Sequence, residues 1–485
     1  MVDHENAGVY NVIHGHFDKE AEEMKNYILS MPNRKFSKNV YYVSPKGDDA
    51  ADGRTPETAW RTLAPVNALN DAEEFAQQAV LFERGGLWRG GVKARSCTVY
   101  SSYGEGEKPR FYGSLQNYAD ETLWTPVEGR EDVWQLSLAD WKGRTDGAFV
   151  NVRTPDNNDA GNVVFINEKD EVVMCGKKFG EDTLENDYDY FHDLESGMLY
   201  LHLSGGNPAA QYPQIEIVPK YSVFHCPEHS HHIIIDNLCI RYANFGISGS
   251  NTANNITVRG CEIGWIGGCF HTPRVRFGNG IEFFGTCYDI LVEDNWIYHC
   301  FDAGYSNQGA TPRDCWFRFK EHDILVQNNL IEKCNYNIEI WVGKQDIMRD
   351  CYYRSNILRF AGYQFERSNR FGSSVVVASH VCMMYSPKPM LNVIVMDNLM
   401  DYSYRHFATM SYPKLNGKCA QFFHNRYAQK DAEEATAVHI WDITDEEFVP
   451  RTRHYFHSQE ELEEKVSLFD IAPREVFFDG VADHE

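Results

Sequence analysis

From residue 233 onward the chain repeats a short pattern: two or three apolar, often β-branched residues, a polar pair that often contains Asn, then another apolar residue. The copies are IIIDNLCI (233–240), ITVRGCEI (256–263), ILVEDNWI (290–297), ILVQNNLI (324–331), YYRSNIL (352–358) and VIVMDNLM (393–400), with a weaker one, FFHNRYA, at 422–428. In register, one position reads Leu238, Cys261, Asn295, Asn329, Asn356, Asn398 and Asn425. Each of the first five copies is followed by a second apolar segment: FGISG (245–249), GIEFFG (280–285), AGYSNQ (303–308), NIEIWVG (337–343) and GYQFE (362–366). A strand sends alternate side chains to opposite faces, and stacked coils set equivalent residues about 4.8 Å apart. An Asn at the bend of every coil can then bond to the next Asn and to turn backbone, which offsets the cost of burying an amide. Antiparallel strands joined by DN turns would leave the second segments unexplained. Irregular intervals between copies suit coils with loops inserted at their corners. The predicted fold is all-β, a right-handed parallel β-helix solenoid.

Other stretches depart from this rhythm. Residues 1–38 read as a helical, peripheral N-terminal extension, because FDKEAEEMKNYILSM carries apolar residues at helical spacing and MPN ends it. Residues 39–114 and 221–428 are assigned to the β-helix. Between them, EDVWQLSL, NVVFIN, EVVMCG, SGMLYLHL and QIEIVP alternate apolar and polar positions, which predicts an inserted antiparallel β-subdomain over 115–220. Residues 429–485, with DEEF and SQEELEEKVSLF, read as an acidic helical C-terminal cap.

Composition narrows the function. The net charge of -24, without a basic patch, argues against nucleic acid as a partner. No apolar window reaches ~18 residues, so no membrane span is expected. The N-terminus lacks a basic start followed by an apolar run, and the 13 cysteines form no CxxC pair. Together these predict reduced, buried thiols in a cytoplasmic protein. The histidines of HSHHI (229–233) have no further Cys or His at ligand spacing, so neither metal nor cofactor is expected. GxSxG and P-loop patterns are absent. Aromatic residues, 14% of the chain, suit stacking on sugars, although most of them read as core. The expected partner is an oligosaccharide, and a homo-oligomer is compatible with the sequence.

Aligning the second segments by their apolar residues turns Ile247, Ile281, Tyr305, Ile338 and Tyr363 inward. Ser248, Glu282, Ser306, Glu339 and Gln364 then face outward on one surface. Glu282, Asp302 and Glu339 are brought together on consecutive coils. Glycosidic cleavage uses two carboxyl groups, and crowding like charges raises one pKa to supply the acid. Asp302 and Glu339, on adjacent coils, are expected ~5 Å apart, a retaining spacing. Glu282 and Glu339, two coils apart, would stand roughly 9–10 Å from each other, an inverting spacing. The first pair is preferred, because HCFDAG sets Asp302 near a glycine and Trp341 beyond Glu339 offers a stacking surface. Arg276, Asn307, Arg313, Gln364, Glu366 and His406 are candidate substrate-binding residues. Weighed against these assignments, an outward Glu on a β-helix is more often merely solvated, and a loop Arg more often a salt-bridge partner. The insertions HTPRVRFGN (271–279) and SNQGATPRDCWFRFKEH (306–322) would wall such a site.

The opening YYVSPKGDD…DGRTPETAWRTL with VLFERGGLWRG resembles the start of many right-handed β-helix proteins of the pectate-lyase-like superfamily. YFHDLESGMLYLHLSGGNPAAQYPQIEI (190–217) resembles the inserted subdomain of β-helix glycoside hydrolases, and the β-xylosidase group among them is the nearest family. That resemblance implies a retaining glycoside hydrolase with an Asp nucleophile and a Glu acid/base on successive coils, and the leading expectation is an exo-acting hydrolase of short oligosaccharides. The superfamily also holds lyases, esterases and epimerases, and fold analogy does not choose among them. Two alternatives stay open: a lyase of uronate-containing sugars, which needs a base such as Lys and a cation against the uronate, and a non-catalytic carbohydrate-binding β-helix.

Overall fold

Every copy of the repeat bends in its middle. The segment before the polar pair, such as His231–Asp236, joins one sheet, and the segment after it, Cys239–Arg241, joins another. The following segment, Phe245–Gly249, joins a third. In the computed structural model this pattern builds three sheets of ten strands each among the described residues. Those residues are 13–37, 39–73, 77–141, 159–272, 275–309, 319–342, 347–363, 378–384, 390–412, 420–430, 435–444 and 447–479. The first sheet runs from Val40–Val43 to Gln421–Phe423, and the second from Leu87–Arg89 to Glu475–Asp479. The third runs from Val92–Lys93 to Thr436–Thr444, with Glu447–Tyr455 added antiparallel at its end. Apart from that last strand the pairing is parallel from coil to coil, with a register shift at Phe319/Glu321. The chain is a parallel β-helix.

The corner between the first and second sheets explains the Asn column. The residue before it has a left-handed backbone at Asn237, Gly260, Asp294, Asn328, Ser355, Asp397 and His424, a conformation that Gly, Asn and Asp adopt at least cost. Asn295, Asn329, Asn356, Asn398 and Asn425 then point inward and are fully buried. Each amide Nδ2 donates to the Oδ1 of the next, at 2.9 to 3.0 Å, and to a carbonyl of the coil before it, such as Val258 or Val292. Each Oδ1 also accepts a backbone N–H. The ladder ends on Asp470, whose carboxylate accepts from the Asn425 side chain at 2.8 Å. Ile233, Ile256, Ile290, Ile324 and Cys351 fill the interior beside it.

Among the described residues, the strands from Thr125–Pro126 to Gln214–Ile217 pair antiparallel apart from the short pairing of Gly176–Lys177 with Asp189–Asp193, and share a core around Trp141, Phe165, Tyr190 and Leu201. The N-terminal helix Asp18–Leu29 lies against the outside of the second sheet. Its Ala21 and Ile28 pack on Leu330 and Ile357 of the second sheet, and the Asp401 carboxylate accepts the backbone N–H groups of His16 and Phe17. The C-terminal region holds strands as well as the helix expected there. Thr436–Thr444 and Glu475–Asp479 are parallel strands of the third and second sheets. Helix Gln459–Val466 covers the open end with Leu462 and Val466. The last coil still exposes apolar core, so strands continue past 428 until a helix can close it.

Candidate functional site

Register on the third sheet decides which side chains share a face. Ile247, Ile281, Tyr305, Ile338 and Val381 are paired in sequence and fully buried in the solenoid. The residues that follow them therefore point outward. From coil to coil this outward column reads Lys93, His225, Ser248, Glu282, Ser306, Glu339, Cys382, Thr409 and His439. Glu282 and Glu339 thus stand on one line, with Ser306 alone between them. Ser306 Oγ donates to Glu339 Oε2 at 2.8 Å and Gln308 Nε2 donates to the same oxygen at 3.0 Å. Glu282 accepts from Asn279 Nδ2 at 2.5 Å. Glu339 is only 8% exposed, Glu282 half-buried. Trp341 lies two residues beyond Glu339 on the same face and pairs with Gln308.

The other candidates fall in different places. Asp302 does lie one coil before Glu339, but it stands level with Asn335, since Ala303 pairs with Tyr336 and the Tyr336 N–H donates to the Asp302 carbonyl. The residue beside Glu339 is Ser306, four positions further along the strand, so the backbone does not set Asp302 and Glu339 side by side. Asn307 was expected at the substrate but points into the solenoid, fully buried, and accepts from the Tyr353 hydroxyl at 2.6 Å. Strict alternation demands this once Ser306 faces outward. Arg276, also expected at the substrate, is 1% exposed. It anchors the hairpin of Cys269–Thr272 and Val275–Phe277 to the inserted subdomain, donating to the carbonyls of Gly268 and Gly161 and the side chain of Asn162. His406 lies on a later coil, 1% exposed, its Nδ1 2.5 Å from Thr436 Oγ1 and its ring 4.9 Å from that of His439.

Arg313, Gln364 and Glu366 lie outside the described residues. In the outward column the position after Glu339 is held by Cys382, because Tyr336–Trp341 pairs next with Ser379–Met384. From sequence, GYQFE and SHVCMM both read as strands, and it is the pairing that identifies SHVCMM here. The sequence also hides that Thr409 and His439 continue the column. The signal was present in the alternation of HFATM and TAVHI. His225 and His439, at the column's early and late coils, are each pulled down to about 4 by burial, with the cations Lys93 and Arg453 adding to it. Both are therefore neutral bases at neutral pH.

A recess of about 580 Å³ lies over the second sheet, away from the third-sheet carboxylates, lined by Lys108, Arg241, Glu262, Trp265 and Tyr298 among others. Burial would raise the Glu262 carboxyl, but Arg241 and the Tyr298 hydroxyl, at 2.8 Å, hold it below its usual value. Burial pulls the Lys108 ammonium down to about 8, and its Nζ donates to Asn237. Glu262 is thus an ionised, locked carboxylate, a poor proton donor.

The strand order alone defines the class as a parallel β-helix protein. Among solved structures the chain is similar to a XylC complex with xylose (11% identity, 92% of this chain and 85% of that chain, TM-score 0.44). It is similar also to a glycoside hydrolase (9%, 91% and 96%, TM-score 0.37) and to the polygalacturonase of Erwinia carotovora ssp. carotovora (10%, 85% and 99%, TM-score 0.38). No family model and no curated protein matches the sequence. No helix of the described residues is long and apolar enough to cross a membrane, and every described cysteine is buried and outside any disulfide.

Proposed function

We propose that the chain is a carbohydrate-active enzyme, a glycoside hydrolase of short oligosaccharides, with Glu282 and Glu339 on the third sheet as its carboxylate pair. The observation that carries this reading is their shared outward column with one small residue, Ser306, between them. Two strand spacings separate their backbones by about 9–10 Å, close to the roughly 6.5–9.5 Å that leaves room for a water in inverting hydrolysis. The retaining pair Asp302–Glu339 has less support, because Asp302 is displaced along the strand. Two donated hydrogen bonds suit the carboxylate form of Glu339, the form a general base needs. Glu339 then takes a proton from water while the water oxygen bonds to the anomeric carbon. Glu282, as the acid, delivers its proton to the departing glycosidic oxygen as the old C–O bond breaks. Trp341 would stack one sugar, and Asp302 would bind hydroxyls of its neighbour.

A panel of aryl-glycosides, a β-xyloside among them, tests this with wild type, Glu282→Gln, Glu339→Gln and Asp302→Asn. Loss of turnover in both Glu variants, with an inverted anomeric product by NMR, is the expected result. Activity retained in both overturns the assignment. A retained configuration with loss only in Asp302→Asn and Glu339→Gln restores the other pair. A product with a new C4–C5 double bond, absorbing in the ultraviolet, would make the enzyme a lyase.

A further inference from the structure

The histidines of HSHHI acquire a partner that no local spacing reveals. Where the first sheet begins, each coil carries one residue with a left-handed backbone. In register these are Cys97, His232, Asn255, Asp289, Asp323, Asp350 and Asn392, with φ between 53° and 58°. Five of the seven are Asn or Asp, the non-glycine types that tolerate this conformation best. The two exceptions are adjacent coils, and both are metal-ligating residue types. Cys97 Sγ lies 3.8 Å from His231 Nδ1, which lies 2.9 Å from His232 Nδ1, and the three atoms fall within 4.8 Å of one another. Tetrahedral zinc with bonds of about 2.3 Å to sulfur and 2.0–2.1 Å to nitrogen would set its ligands about 3.6 and 3.3 Å apart. Next to them in the chain, Ser230 is 5% exposed and its hydroxyl has no hydrogen-bond partner.

From this geometry we propose that Cys97, His231 and His232 form a binding site for a thiophilic divalent ion, Zn²⁺ above all. One thiolate and two imidazoles are a donor set that favours zinc over the hard cations Mg²⁺ and Ca²⁺. Binding replaces the thiol proton, which leaves to solvent, with a metal–sulfur bond. The ion joins two neighbouring strands, Thr98–Tyr103 and His231–Asp236, that flank the whole inserted subdomain in sequence. Its role is to staple the coil from which the chain leaves to the coil at which it returns. This site is independent of the third-sheet carboxylates.

Titration of the metal-free full-length protein with Co²⁺ alone tests the proposal by absorption spectroscopy. The expected result is one equivalent bound, with a thiolate-to-cobalt charge-transfer band and the visible bands of a tetrahedral centre. Cys97→Ser should abolish the charge-transfer band. His232→Asn, which places at this corner the residue found at Asn255 and Asn392, should keep the fold by circular dichroism and lose the tetrahedral bands. Zn²⁺ should raise the melting temperature of wild type and not of His232→Asn. Absence of the charge-transfer band in wild type, or its persistence in Cys97→Ser, overturns the proposal.

Discussion

Two columns of side chains run along the same solenoid at the same vertical spacing. At the corner between the first and second sheets the column repeats one residue, from Asn295 to Asn425, and every amide is bonded to the next. On the outer face of the third sheet each coil presents a group different from its neighbour's: a lysine, histidines, serines, two glutamates, a cysteine and a threonine. The first column solves one problem repeatedly, the satisfaction of buried corner backbone, and identical neighbours solve it best. The second is free of that demand, since the strand backbones bond among themselves. Its variety, and the burial of Ser306, Glu339, Thr409 and His439 on an outward face, is what a site selected for chemistry requires. Repetition in a β-helix therefore marks structure, and a break in repetition on a covered face marks where function is sought.

Experiments on the two columns should give opposite signatures. Glu339→Gln is expected to lower kcat/KM by about 10³-fold with an unchanged melting temperature, measured on whichever glycoside wild type cleaves. Asn356→Leu should do the reverse. It strips an acceptor from the Asn329 amide and backbone N–H and a donor from Asn398, a loss of about 2–4 kcal/mol in urea unfolding, with kcat preserved in the folded fraction. An Asn356→Leu variant of wild-type stability would break the comparison. Ser306→Ala, which removes one hydrogen bond to Glu339, should cost about tenfold in kcat, and a shifted pH–rate profile would sharpen the case for Glu339 as base. The smallest effect is on acid stability. His225 and His439 titrate near 4 when folded and near 6.5 when unfolded, so the unfolded chain binds protons first. Their contribution is whole above pH ~6.5 and is lost progressively toward pH ~4. Urea midpoints should fall over that window, and less steeply in the His225→Asn, His439→Asn double variant, while ladder variants leave the slope unchanged.

The sequence by itself determined the coil. The DN, NN and SN pairs mark a corner whose left-handed backbone Asn and Asp tolerate best, and the β-branched runs fix the inward face, so the ladder and the alternation around Glu282, Ser306 and Glu339 were legible without coordinates. Tertiary pairing alone decided which segment follows which in a sheet. GYQFE and SHVCMM have the same local pattern, and it is SHVCMM that pairs with Tyr336–Trp341. Pairing also decided how far along a strand Asp302 sits from Glu339, that Arg276 closes on the inserted subdomain, and that Cys97 meets His231, 134 residues away, and its neighbour His232. The physical reason is common to all of these. Periodicity encodes which face a side chain occupies, a local property, whereas the neighbour on that face is set by how many residues each coil inserts before its strand returns.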